Sequence, residues 1–301
     1  MAHRASHRAV VVEDDEPTAE LLCKLLEHLN CTVVSTPDNA SALDQIKLEL
    51  PDLITTDIFH PGPNGIELVR ALREDLHTSD IPIIVISGSC PDDTELMLYR
   101  LGVTAVIHKP FQMKEFISRL SQILDIHSDQ DTVLLKFGFE TFDLDYKQYI
   151  DLSIKEARAA LAKDVIAMAN SGGGTIILGV DEIEPGCFQH RGLSPEQLKE
   201  FEVTKVNDAL RKYVGSAVTV QVKRLTLRNK TFVMLKVPPC EDTIVLASSD
   251  NATAGLFQGR IYMRTHEART AEVRDSITVT RLIERLINAR MRKRLNDGLQ
   301  E

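Results

Sequence analysis

The sequence predicts two domains: a five-stranded, parallel, doubly wound α/β domain first, then an α+β domain with a mixed or antiparallel sheet. Three observations carry this. Short apolar runs and amphipathic segments alternate five times before residue 127. A polar stretch, "LDIHSDQDT" at 124–132, ends that alternation. The charge also splits: residues 1–127 hold 10 Lys+Arg and 20 Asp+Glu, a net −10, and residues 128–301 hold 25 and 24, a net +1. A length of 301 residues suits two ordinary domains. The expected layout is a tail at 1–7, a first domain at 8–126, a linker at 127–132 and a second domain at 133–301.

In the first half "RAVVVE" has the pattern of a buried strand, and "PTAELLCKLLEHLN" that of a helix with Leu21, Leu22, Leu25, Leu26 and Leu29 on one side. "CTVVST", "DLITTD", "IPIIVISG" and "AVIHKP" continue as strands; "NASALDQIKLEL", "GIELVRALRED", "PDDTELMLYRLG" and "QMKEFISRLSQILDI" continue as helices. Repeated β–α units of this length imply a parallel sheet covered on both faces, with chemistry beyond the carboxyl ends of the strands.

In the second half "TVLLKFGFETFDLDYK" is expected to be extended. "SIKEARAALAKDVIAMANS" is expected to be a helix capped by Ser153 with Glu156 three residues on, and "TIILGVD" a buried strand. "SPEQLKEFEVTKVNDALRKYV" forms a helix with Pro195 in its first turn. "AVTVQVKRLTLRNKTFVMLKVP" forms a hairpin turning at Arg228-Asn229-Lys230, and "TIVLAS" and "GRIYMRT" are strands. The last helix, "TVTRLIERLINARMRKRL", is expected to turn Val279, Leu282, Ile283, Leu286, Ile287 and Leu295 inward.

Hydrophobic residues make up 43% of the chain and charged residues 26%, an ordinary globular composition. No apolar run approaches the roughly 18 residues of a membrane span, and the N-terminus lacks signal-peptide character, so a cytoplasmic protein is expected. Five scattered cysteines have no metal-type spacing. His3 and His7 fall in the tail.

Four of the five first-half strands end in polar residues: Glu13-Asp14, Asp57, Ser87 and Lys109. Two like charges about 4 Å apart repel by about 4 kcal/mol at an effective dielectric of about 20. A hard dication such as Mg²⁺ offsets that repulsion. Ser87 can donate a hydrogen bond and Lys109 supplies a point charge. The set suits phosphoryl transfer to a carboxylate, with Asp57 attacking and Lys109 and Ser87 holding the transferred oxygens.

With "VVVEDDEP", "LITTDIFHPGPNG", "IIVISGS" and Lys109-Pro110-Phe111 in this order, residues 8–126 resemble a response-regulator receiver domain. The resemblance implies a two-component system in which a histidine kinase or phosphotransfer protein phosphorylates Asp57. It implies Mg²⁺ on Asp14, Asp57 and the carbonyl of Phe59, with Glu13 contacting it through water, and a cis Lys109-Pro110 bond. One position departs from the family. Three residues before the lysine, where an aromatic ring is usual, stands Val106, so a ring swing coupled to Ser87 has no counterpart there. His108 is either a tuning residue or a strand-edge histidine.

The glycine run in "IAMANSGGGTIILGVDE" lacks the lysine of a phosphate loop and precedes a strand instead of a helix. A helix stop and sharp turn follow from Asn170 and Gly172. Together with "FDLDYK" and "GRIYMRTHEART", the segment resembles the Schlafen/AlbA-type DNA-binding domain over roughly 136–290, with "LDYK" in place of the commoner Leu-Glu-Phe-Lys. The resemblance implies an output domain that binds nucleic acid, DNA first, and regulates transcription. Lys223, Arg224, Arg228, Arg264, Arg281, Arg285 and Arg292 are the candidate contacts. Some members of the broader family are metal-dependent nucleases, and Glu140, Asp145 and Asp181 occupy the corresponding positions. A spacing of five puts Glu140 and Asp145 on opposite faces of a regular strand, so that site needs a bend. A protein-interaction output module and a homodimer are the other expectations.

Overall fold

The computed structural model describes residues 7–58, 65–88, 90–126, 129–215, 218–265 and 267–297. The chain divides into two compact units, Met1–Phe137 and Gly138–Glu301.

In the first unit the elements run β1 (His7–Val12), α1 (Glu16–His28), β2 (Cys31–Thr36), α2 (Asn39–Glu49), β3 (Leu53–Thr56), α3 (Gly65–Glu74), β4 (Ile83–Ser87), α4 (Asp92–Arg100), β5 (Ala105–His108), α5 (Met113–Ile123) and α6 (Gln130–Lys136). The sheet has the order β2-β1-β3-β4-β5, and every pair is parallel. Its central strands are near-continuous apolar runs because helices cover both faces; β3 and β4 are buried along their whole length. Strand order reverses between β1 and β3, which places the crevice at their carboxyl ends.

The segment expected to be extended after residue 132 instead begins with α6 in this first unit. Asp129 accepts the Thr132 hydroxyl at 2.6 Å in its first turn. Val133, Leu134, Leu135 and Phe137 are all buried. A short apolar run buried on several sides has no period that separates strand from helix. His28 Nε2 donates to the Lys136 carbonyl at 2.6 Å and its ring meets Phe137 edge-on.

The second unit continues with β6 (Leu144–Lys147), α7 (Lys155–Asn170), β7 (Gly174–Leu178), β8 (Val180–Glu184), β9 (Cys187–His190), α8 (Pro195–Leu198), α9 (Val203–Val214), β10 (Gln221–Leu227), β11 (Lys230–Val237), β12 (Tyr262–Arg264), β13 (Thr270–Glu272) and α10 (Ser276–Asp297). A mixed sheet of order β10-β11-β7-β6 is antiparallel except where β6 joins β7, and β8-β9 and β12-β13 are separate hairpins. The apolar core lies between one face of the large sheet and helices α7 and α9, around Leu161, Val165, Ile176, Val206, Leu210 and Leu235.

Four local expectations change. Ser153 does not cap α7; it donates to Asp151 two residues before it, and the N-cap is Ile154. The single helix expected from Pro195 is broken into α8 and α9 because Phe201 turns into the core and Glu200 accepts the Tyr149 hydroxyl at 2.6 Å. "TIVLAS" contributes only a bridge from Leu246 to Ile261. On α10, Leu282 is buried while Ile283 and Ile287 are exposed, so the packed side is narrower than the apolar pattern. No helix among the described residues is long and apolar enough to cross a membrane.

Candidate functional site

The carboxyl ends of β1, β3 and β5 deliver three charged groups to one point. Glu13 follows β1, Asp57 follows β3, and Lys109 follows β5. The Lys109 ammonium donates to Glu13 at 2.8 Å and to Asp57 at 3.0 Å. Both acids are buried. Burial, the largest effect, raises the Glu13 carboxyl above its ordinary value, and the charge of Asp57 adds to this, outweighing Lys109. For Lys109 burial works against the charged form, but its two carboxylate partners prevail and raise it. Ser87 closes β4 and is fully buried. The Lys109-Pro110 bond is cis.

Not every acid of "VVVEDDEP" belongs to this group. Asp15 caps α1, accepting the Thr18 N–H at 3.0 Å and the Thr18 hydroxyl at 2.6 Å; these bonds hold its carboxyl below the usual range. Asp14 is exposed. Phe59 lies outside the described residues. Among the described residues no group of three or more His, Cys, Asp or Glu is arranged to hold a metal. The donor chemistry still fits Mg²⁺: Glu13 and Asp57 are hard oxygen donors that converge on the Lys109 ammonium. Gly65 opens α3 because a Cβ there would stand 2.8 Å from the Asp57 carbonyl oxygen.

Val106 is buried, and its N–H donates to the Tyr99 hydroxyl of α4 at 3.4 Å. His108 is exposed and faces Glu95 of α4 at 3.0 Å, away from the acid pair.

In the second unit Gly173 and Gly174 of the glycine run serve close packing. A Cβ on Gly173, whose φ is +94°, would lie 2.9 Å from the Val237 carbonyl oxygen; on Gly174 it would lie 2.8 Å from the Met168 sulfur and 2.9 Å from the Asp143 carbonyl oxygen. The preceding Asn170 is fully buried. Its amide donates to the carbonyls of Val245 and Tyr262 and accepts the Val245 N–H.

The three candidate nuclease acids separate. Residues 141–144 form the expected bend, with paired hydrogen bonds between Thr141 and Leu144, and Glu140 folds back to accept the Tyr146 N–H at 3.0 Å. Burial first, then the charge of neighbouring Asp145, pushes the Glu140 carboxyl up to about 7. Lys147 bridges Asp145 at 2.8 Å and Asp164 at 3.2 Å. Asp181 instead pairs with Arg191 at 2.8 Å on the β8-β9 side. Gly179 and Val180 stand between the end of β7 and Asp181, whereas Asp145 pairs with Ile176 inside β7, and no three-acid metal set forms among the described residues. Sequence spacing missed Lys147 and Asp164, which the cluster uses; their only signal was the lysine of "LDYK".

The basic candidates do not share one face. Arg264 is an internal clamp: its side chain is 3% exposed, donates to the carbonyls of Thr141 and Phe142, and lies 3.9 Å from Asp145. Arg285 is half-buried and donates to the Asn170 carbonyl. Lys223 and Arg224 are adjacent on β10 and therefore point to opposite faces. Arg224 donates to the Leu198 carbonyl at 3.0 Å. Arg228 sits in the hairpin turn with φ +49°. Arg281 is exposed on α10, and the side chain of Arg292 is outside the described set.

Comparison with known proteins assigns the two parts. Residues 9–121 match the family model described as "Response regulator receiver domain", and residues 140–271 match "Schlafen, AlbA_2". The "Phosphate regulon transcriptional regulatory protein PhoB" of Escherichia coli (strain K12) is 31% identical over 119 residues, 40% of this chain and 52% of that protein. The "DNA-binding response regulator MtrA" of Mycolicibacterium smegmatis is 29% identical over 137 residues, 46% of this chain and 59% of that protein. The chain thus spans just over half the length of these relatives. Among solved structures, the non-phosphorylated HemR receiver domain from Leptospira biflexa is 27% identical with a TM-score of 0.38, covering 41% of this chain and 98% of that one.

Proposed function

We propose that this chain, a receiver domain followed by a Schlafen, AlbA_2 domain, is a two-component response regulator whose second domain binds DNA and regulates transcription in the cytoplasm. A receiver domain implies a histidine kinase as partner. The observation that carries the reading is Lys109 held 2.8 Å from Glu13 and 3.0 Å from Asp57.

In the phosphoryl step an Asp57 oxygen attacks the phosphorus of the donor's phosphohistidine. The P–N bond breaks, the imidazole leaves, and an acyl phosphate remains on Asp57. Lys109 turns its charge toward the incoming phosphoryl oxygens, and the Ser87 hydroxyl donates to one of them. Glu13, Asp14, Asp57 and the Phe59 carbonyl are the groups that would hold Mg²⁺, which when bound offsets the clustered negative charge. Phosphorylation adds about −1.5 to −2 charges at one strand end and biases a two-state receiver surface. Homodimerisation through the receiver doubles the contacts an output domain makes. Both relatives, one named a transcriptional regulatory protein and the other a DNA-binding response regulator, support the output, although their similarity covers the receiver part.

The test is incubation with acetyl phosphate and Mg²⁺, followed by intact mass and selection of bound fragments from random DNA pools. A gain of one phosphoryl group, lost in Asp57→Asn, with salt-dependent DNA capture is expected. An unchanged mass removes the regulatory half, and capture of no DNA removes the output half and leaves a protein-interaction module.

A further inference from the structure

The segments flanking the β12-β13 hairpin, with Lys163 of α7, carry basic and aromatic residues outside the seven basic candidates. Glu272, on β13, is only 13% exposed at its side chain, and each of its oxygens faces a different arginine: Arg260 at 3.3 Å and Arg274 at 2.9 Å. Those two guanidiniums remain 61% and 80% exposed. One inward carboxylate therefore orients two outward cations and leaves most of their donors free for another acceptor. Lys163 of α7 adds a third positive charge: its ammonium lies 5.6 Å from the centre of the Tyr262 ring and its charge reaches Glu272.

An exposed aromatic residue, Phe257, shares a turn with Arg260. Phe257 is 43% exposed, one of two strongly exposed aromatic side chains among the described residues, with Tyr99 of the first unit. It is held by backbone: its carbonyl accepts the Arg260 N–H at 3.2 Å, and its N–H donates to the Tyr262 hydroxyl at 2.9 Å. That hydroxyl is itself fixed by donating to the Gly255 carbonyl. These hydrogen bonds fix the backbone that carries the exposed ring. Leu246, paired through its bridge to Ile261, extends the apolar area. Asp250 and Asp275 are opposing charges nearby, and their carboxylates accept the Gln258 N–H and the Thr278 N–H, each at 2.7 Å.

We propose that this surface is where the second domain holds nucleic acid, and that it takes an unpaired stretch: one base stacks on Phe257 while Arg260, Arg274 and Lys163 take the flanking phosphates. The inference rests on the nucleic-acid-binding reading of the output domain and places the contact on the segments flanking β12-β13. A duplex buries the faces of its bases, so an exposed ring flanked by cations is matched by single-stranded nucleic acid. Arginine beside an aromatic ring also suits a stacked base.

Fluorescence anisotropy with the full chain tests this, using labelled single-stranded and blunt duplex DNA at several salt concentrations. Phe257→Ala is expected to weaken single-strand binding roughly 10-fold. Phe257→Leu, which keeps the apolar contact and protects folding, is expected to lose most of the same affinity. Arg260→Ala with Arg274→Ala is expected to lower the slope of log affinity against log salt by about 1.4. Lys223→Ala with Arg228→Ala is expected to change affinity less than twofold. If the hairpin pair abolishes binding while the Phe257 and arginine variants bind as wild type, the placement is wrong and the DNA-binding reading survives. Equal loss for duplex and single strand, or a Phe257→Leu affinity equal to wild type, overturns the stacking claim. Failure of the wild-type protein to bind either DNA sinks both.

Discussion

Removal of the Asn170 side chain is expected to loosen the second unit more than any surface change. This residue ends α7 and is fully buried. Its amide makes hydrogen bonds of 2.9 Å and 3.0 Å to the carbonyls of Val245 and Tyr262 and accepts the Val245 N–H at 2.9 Å. Asn170→Ala strands two carbonyls and one N–H in the core. Each stranded group costs about 1–3 kcal/mol. The three share one site, so partial relaxation makes the losses less than additive, and a total of about 3–5 kcal/mol is expected. In a domain of this size that lowers the melting temperature by roughly 10 °C. Asn170→Asp keeps the acceptor for Val245 but points an oxygen at two carbonyls, so it should be at least as damaging. Calorimetry gives the shift, and amide deuterium exchange assigns it: protection should fall in α7, β12 and the segment around Val245 while the receiver is unchanged. A loss below about 1 kcal/mol, or loosening confined to the receiver, would refute the claim that this side chain ties the three segments together.

Three further outcomes follow from the same contacts. Glu140 is held at about 7 against an ordinary 4.5. An acid raised in the folded state stabilises fully below pH 4.5, and that contribution is lost as pH rises through about 7. The interval corresponds to roughly 3 kcal/mol, and solvent screening of a half-buried carboxyl reduces it to about 1–2 kcal/mol. Denaturation of Glu140→Gln across pH 4–8 should show that much less pH dependence in the second unit, and identical curves would count against the Glu140–Asp145 contact. Lys109→Ala should slow phosphoryl acceptance by about 100-fold, read from intact mass over time, because one preorganised charge is removed from the phosphoryl oxygens. Gly173→Ala should destabilise the second unit by about 2–4 kcal/mol, seen in calorimetry, since its Cβ meets the Val237 carbonyl at 2.9 Å and its φ is +94°.

The sequence by itself determined the receiver sheet and the chain positions of its polar residues. A parallel strand buried on both faces must be a continuous apolar run, and a polar residue ending that run must sit at the strand's carboxyl end. Glu13, Asp57, Ser87 and Lys109 were legible for that reason. Only the tertiary structure decided which acids converge: Asp15 is spent on capping α1, Asp14 stays in solvent, and Lys109 selects Glu13 and Asp57. In the second unit linear spacing was a weaker guide, since its charged residues do not all follow parallel strands of one sheet. Spacing could not show that Asp181 belongs to Arg191, or that Arg264 faces inward beneath the turn at Thr141 and Phe142. Nor could it bring Asp164 to Lys147, or Arg260 and Arg274 to the same carboxylate. Apart from Arg274 with Glu272, those pairings join residues on different elements or turns, and packing of one element on another sets them, not local periodicity.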